Sequence, residues 1–361
     1  MVRNFGLDIV RSIAIISILL AHISPLFINN PIFFNFLYNL GLYGVELFFV
    51  LSGFLIGQVI LLKLMPAFNL HNLKKFYVRR LLRILPLYYF VLISFILIEF
   101  FIYRSHSLHI FHFIFLQNLF PMEINFFAVS WTLSIQFWFY LITPIILLII
   151  THKGKSPHQL IKGFIYIIIA INLLRLLYVC IQNPSFDFGI RKNIFLRLDT
   201  LFIGALFAIV KNKYKPLYKK LSHYKIFVIS IILLTIFYIF YVYKMVINGI
   251  EYFDNSIFFR SFSFPLMSLM LISFVIFIEN NTFINNLLTN KKLVYYFFTK
   301  LSLLSFSMFL IHYEIYTYFE NNIKFLNTTF SIIISTIIIL VLSVLLYNLI
   351  EKPILLKRNQ I

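Results

Sequence analysis

Arg11 and His22 are residue types that can do chemistry, and eleven positions separate them. On an α-helix, eleven steps of about 100° return to within roughly 20° of the starting direction, so the two side chains share a face. At about 1.5 Å of rise per residue they stand roughly 16 Å apart along the axis. An imidazole that titrates near neutrality can take the proton of an attacking hydroxyl. The separation approximates the reach of a pantetheine arm. A coenzyme A whose nucleotide rests near the Arg11 end could therefore present its thioester close to His22. The plain alternative is a histidine hydrogen-bonded between helices.

A second group is Lys74, Lys75, Arg79, Arg80 and Arg83, followed by Pro86. Arg80 and Arg83, three apart, share a helix face and suit a bidentate grip on phosphate. The competing reading is ordinary positive charge at a cytoplasmic surface. Glu46 lies in an apolar run, where a buried carboxylate needs a partner, and Arg11 or Arg197 could supply it. Arg197 and Asp199, followed by Gly204, read as mainly structural, and His312 as either packing or function. His106, His109 and His112 recur every three residues, but no carboxylate or cysteine follows at ligand spacing, so no metal is expected. The signatures GxSxG, P-loop and HExxH are absent.

The elements that must position these residues are set by composition. Of 361 residues 61% are hydrophobic and 12% charged, with a mean hydropathy of +0.93. A soluble domain keeps about a quarter of its residues charged. The apolar residues come in runs of about 20, enough to cross the hydrocarbon as helices, and backbone groups in lipid must pair within the segment. The expectation is an all-α integral membrane protein of about ten transmembrane helices. The spans are placed at Leu7–Phe27, Gly41–Leu64, Leu81–Tyr103, Ala128–Ile150, Leu160–Ile181, Leu196–Val210, Ile226–Tyr243, Ile257–Ile278, Leu301–Phe319 and Phe330–Leu349. Leu108–Phe120 is too short to cross and reads as interfacial or re-entrant. With both termini cytoplasmic, 22 of the 31 lysines and arginines fall inside and five outside, which is the positive-inside bias. The net charge of +19 thus belongs to cytoplasmic loops facing a lipid bilayer and not to a nucleic-acid surface. A single cysteine, Cys180, rules out an internal disulfide. No cleavable leader, linker or repeat is visible. Residues 1–361 read as one membrane-embedded domain with no soluble C-terminal extension, placed as a multi-pass protein of the inner or plasma membrane.

Taken in order, several pieces resemble the membrane-bound acyltransferase family 3. They are Leu7-Asp8-Ile9-Val10-Arg11 with His22, Gly44 through Phe54, and Arg79-Arg80-Leu81-Leu82-Arg83-Ile84-Leu85-Pro86. Next come Ser130-Trp131-Thr132-Leu133 with Phe139-Tyr140, and Arg197-Leu198-Asp199 with Gly204. The series ends with Leu304 through His312 and with Glu351-Lys352-Pro353. The resemblance implies transfer of an acyl group, usually acetyl, to a hydroxyl of a carbohydrate or another small acceptor. It implies His22 as the catalytic histidine with Arg11 as its partner, and Arg80 and Arg83, with Arg79 beside them, as binders of the phosphates of acetyl-CoA. Glu46, Gln136, Trp131, Ser130 and His312 fall in matching pieces as supporting residues. Gln136 departs from the family, which often has a glutamate there. That leaves three readings: a carboxylate not needed for the chemistry, altered acceptor handling, or an inactive relative serving as an assembly partner. Some members carry an extracytoplasmic esterase-like domain, so a separate extracytoplasmic acyltransferase partner is a further expectation. The rival from another class is a glycan or small-molecule transporter or flippase whose intramembrane charges line a pathway without making a bond.

Overall fold

The computed structural model describes residues 3–66, 69–102, 104, 109–119, 126–151, 157–323 and 328–360. Every regular element among the described residues is helical, as a chain that must satisfy its backbone inside hydrocarbon requires. Ten long helices follow the order of the expected spans. They are α1 (Phe5–Ala21), α2 (Pro31–Val59), α3 (Leu70–Ile102), α4 (Ser130–Thr151), α5 (Pro157–Gln182), α6 (Leu198–Lys213), α7 (Tyr224–Asn248), α8 (Ile257–Asn280), α9 (Lys292–Asn322) and α10 (Thr328–Leu346). Eight of them, all but α1 and α6, are long and apolar enough to cross a membrane. Start signals are local: Asn4 accepts a hydrogen bond from the Leu7 N–H at 3.3 Å, and Asn30, ahead of Pro31, accepts one from Phe33 at 3.1 Å.

The helices form an inner group wrapped by an outer one. The most apolar stretch of α2 is 72% buried and that of α8 67%, against 17% for α7 and 22% for α5, so the first two are core and the others face lipid. The short helices α1 and α6 belong to the core, with Val10, Ala14, Leu201 and Ala205 fully enclosed. Small residues let α2 and α6 touch backbone to backbone. A Cβ on Gly53 would lie 2.0 Å from the Leu201 carbonyl oxygen, and one on Gly204 would lie 2.2 Å from that of Val50. Neither position has room for a methyl group.

Two ion pairs are buried in this core. Glu46 on α2 and Arg197, just before α6, form a fully buried ion pair. Thr200 adds a hydrogen bond to the Glu46 carboxylate at 3.3 Å, and Ser268 on α8 donates to Thr200 at 3.0 Å. The Arg197 guanidinium lies 3.6 Å over the Phe264 ring. A second buried pair joins Arg175 on α5 to Asp199 at 2.6 Å, and Arg175 also donates to the Leu196 and Ser261 carbonyls. Of the two partners weighed for Glu46, the structure selects Arg197. Glu46, Arg197 and Asp199 tie α2, α5, α6 and α8 together.

The Leu108–Phe120 stretch is described from 109 to 119 and contains one helical turn, Ile110–Phe113, far too short to cross. Side chains of neighbouring helices satisfy its carbonyls: Tyr88 donates to His112 and Tyr89 to Phe113, each at 2.8 Å, and Trp138 to Phe115 at 2.9 Å. His109 pairs with Glu99 at 2.5 Å, and His106 lies outside the described residues.

Two expectations follow. Gly204→Ala should lower the thermal midpoint of the purified chain in detergent, a loss of about 1–3 kcal/mol for overpacking. Gly163→Ala, whose new methyl meets only the flexible Ile150 side chain, should cost less, and equal losses would contradict the close α2–α6 approach. Glu46→Leu should cost about 3–5 kcal/mol by stranding the Arg197 charge. Glu46→Leu with Arg197→Met should be milder than Glu46→Leu alone in the same melt.

Candidate active site

α1, α2, α3, α4 and α9 enclose a cavity of about 80 Å³ whose polar lining includes Arg11, Arg80, Arg83, Gln136, Tyr140 and Ser305. Phe48, Phe49, Phe306 and Phe309 supply its apolar walls.

Its arginines arrive as helix geometry dictates. Arg80 and Arg83, one turn apart near the start of α3, both face the cavity. Arg79 points elsewhere, and its buried Nε has no partner among the described residues. Arg11 donates to Ser302 Oγ at 3.1 Å, and Ser302 donates in turn to Asp8 Oδ1 at 2.7 Å. Asp8 also pairs with Arg3 at 2.6 Å and lies 3.9 Å from Arg11. No carboxylate among the described residues lies within ion-pair distance of Arg80 or Arg83. Glu351, which accepts from Ser307 at 3.1 Å, is close enough to act electrostatically on Arg83 and Arg11. The arginine set therefore holds more positive charge than its carboxylates balance, an arrangement suited to an anionic guest.

His22 stands at the other end of α1, where it caps the helix. Its ring sits 5.0 Å from that of His312, 5.6 Å from Tyr313 and 5.4 Å from Tyr316. Arg11 and His22 both meet α9, at Ser302 and at residues 312 to 316. The shared face that their spacing predicts is thus the face toward α9. Because α1 is continuous from Phe5 to Ala21, the roughly 16 Å axial separation holds. Phe309 divides the two centres. It lines the cavity, packs edge-on to Phe48 at 6.1 Å, and lies 5.5 Å from His312.

The structure thus brings Arg11, Arg80, Arg83 and Gln136 into one cavity and joins His22 to His312. The remaining predicted site residues stand apart from the cavity lining. Glu46 is held by Arg197 although its neighbours Val45 and Phe48 face the cavity. Trp131 lies under the Arg191 guanidinium at 5.3 Å, and Ser130 is fully buried at the start of α4 with its hydroxyl unpartnered among the described residues. Residue-by-residue reading missed Tyr140, Ser302, Tyr313 and Tyr316 as site members. Their signal was present in helical spacing: Tyr140 is one turn beyond Gln136, and Tyr316 one turn beyond His312.

A family model described as an acyltransferase domain matches residues 4–348. The chain is 27% identical over 222 residues to "O-acetyltransferase OatA" of Staphylococcus aureus, covering 57% of this chain and 34% of the relative. It is 28% identical over 202 residues to "Peptidoglycan O-acetyltransferase OatA" of Listeria monocytogenes, covering 50% and 30%. An uncharacterized protein of Haemophilus influenzae is 31% identical over 190 residues, covering 46% of this chain and 75% of the relative. The match to the two OatA proteins spans about a third of their length. No solved structure matches the chain. A match over nearly the whole chain, on a helical membrane scaffold that gathers its arginines in one cavity, makes this protein a member of the acyltransferase 3 family.

Proposed function

We propose that the chain is an O-acetyltransferase of the inner or plasma membrane that carries acetyl from cytoplasmic acetyl-CoA to a hydroxyl of an exported or lipid-linked glycan. The observation that carries this reading is the cavity holding Arg11, Arg80 and Arg83, with His22 a pantetheine's length away along α1. Ten spans with both termini in the cytoplasm put the arginine end inside and the histidine end outside. Arg80 and Arg83 hold the phosphates of the donor at the cavity, beside the basic surface of Lys74, Lys75 and Arg79, and the thin arm runs on toward His22. Residues 1–361 act as one membrane domain. The acetyl group goes directly to the glycan, or to a separate extracytoplasmic acyltransferase.

In the transfer, His22 takes the proton of the acceptor hydroxyl as its oxygen attacks the thioester carbonyl. The carbon–sulfur bond breaks, and the imidazolium returns the proton to the departing thiolate. The acetyl ester and free coenzyme A thiol account for every atom. Gln136 keeps a hydrogen-bonding group in the cavity without adding a charge. The phenylalanine wall at Phe309 must yield for the arm to reach His22.

The deciding experiment incubates membranes bearing the native chain or His22→Ala with acetyl-CoA labelled in its acetyl group, at equal expression. Base-labile label should appear in the lipid-linked and polysaccharide fractions and fall about 10²–10⁴-fold in the variant, as removal of a general base does. A chain that moves glycan across the bilayer but labels nothing, with His22→Gln tolerated, would establish the transporter reading instead. Arg80→Ala with Arg83→Ala should raise KM for acetyl-CoA by about 10–100-fold through lost charged hydrogen bonds, with a smaller change in kcat. An unchanged KM would remove these arginines from donor binding.

A further inference from the structure

We infer that Tyr316 and His312 are positioning residues that clamp the imidazole of His22 in one orientation, a role that rests on the acyl-transfer reading above. The His22 backbone is fixed, since its N–H reaches the Leu19 and Leu20 carbonyls and a short 3₁₀ turn, Ser24–Phe27, follows. Its ring makes no hydrogen bond to another described residue, so ring packing has to set its angle. The packing comes from two turns of α9. Tyr316 stacks on His22 with an interplanar angle of 11°, while His312 and Tyr313 stand at 67° and 76° to it. One neighbour sets the plane and two close its sides.

The two clamp residues are themselves held. The Thr336 hydroxyl on α10 has one proton, and at 2.7 Å from the Ile332 carbonyl that proton is committed to it. The 2.8 Å contact between the Tyr316 and Thr336 hydroxyls must then use the Tyr316 proton. Tyr316 therefore donates into α10, and its ring is what faces His22. His312 is fully buried, and its Nδ1 lies 2.7 Å from the Phe309 carbonyl oxygen. A carbonyl only accepts, so Nδ1 carries the proton, the tautomer is fixed, and the ring cannot turn without stranding that bond. Tyr313 is half-buried and serves as a side wall. An imidazole freed from this clamp still has its basic nitrogen but loses its aim, and small errors of aim cost orders of magnitude in rate while leaving donor binding alone.

The test uses the full chain in its membrane. Tyr316→Leu, which removes the ring, should lower kcat about 10–100-fold and leave KM for acetyl-CoA unchanged. Tyr316→Phe and Thr336→Val, which keep the stack and remove one hydrogen bond, should each lower kcat only a few-fold, and the pair together no more than either alone. His312→Gln, which loses the bond to Phe309, should behave like Tyr316→Leu. Tyr316→Phe as inactive as Tyr316→Leu would overturn the inference, because the hydroxyl and not the ring would then be needed. Because Tyr316→Leu can also unfold, ring restraint is read independently of turnover. Carbethoxylation of His22 by diethyl pyrocarbonate, followed by mass spectrometry, should run several-fold faster in Tyr316→Leu and His312→Gln than in the native chain or Tyr316→Phe. Equal rates in all four would overturn the clamp, whatever the native chain does with acetyl-CoA. A native chain that restrains His22 yet labels no acceptor would leave the clamp standing and overturn the acyl-transfer reading.

Discussion

Hydrocarbon offers no hydrogen bonds and screens no charge, so every ionised group taken into a bilayer has to find its counterpart within the protein. That constraint organises this molecule. Two core pairs answer it: Glu46 with Arg197 and Arg175 with Asp199 are fully buried, and Thr200 and Ser268 extend the first of them. These pairs sit where α2 and α6 approach so closely that Gly53 and Gly204 have no space for a side chain. The same close approach brings the Glu46 carboxylate to Arg197, so packing and charge pairing support each other.

At the arginine end the demand is not met among the described residues. Arg80 and Arg83 face the cavity without an ion-pair partner among the described residues, and Glu351 and Asp8 balance only part of the charge there. Charge kept in this state inside a membrane protein marks a functional site by default. Burial alone does not distinguish the two groups of arginines. Arg80 is nearly as enclosed as Arg197.

The two halves of the site are held in register by α1 and α9. Ser12 donates to the Phe298 carbonyl at 2.9 Å and Arg11 to Ser302, and His22 stacks against the ring of Tyr316. Two helices in contact over that length act as a rigid ruler, so the distance from guanidinium to imidazole is set by backbone geometry and not by loops. Phe309 sits on the ruler between them and keeps the cavity closed to the histidine pair.

Much of this was legible in the sequence. Composition and run length point to the all-helical membrane class, and each expected span overlaps one long helix, eight of them long and apolar enough to cross a membrane. The eleven-residue spacing placed Arg11 and His22 on one face, and the three-residue spacing did the same for Arg80 and Arg83. Helical periodicity is a property of one segment, so it can be read from one segment. It also placed Glu46 among charged candidates without choosing between Arg11 and Arg197 as its partner. That choice, and the exclusion of Arg79, Trp131 and Ser130 from the cavity lining, depended on how α2, α3, α4 and α6 rotate about their axes when packed. The ring cup around His22 joins residues about 290 positions apart, and the Tyr316–Thr336 bond joins two different helices. A sequence specifies which face of a helix is polar; only the assembled bundle decides what that face meets, because the contact is a property of pairs of helices and periodicity is a property of one.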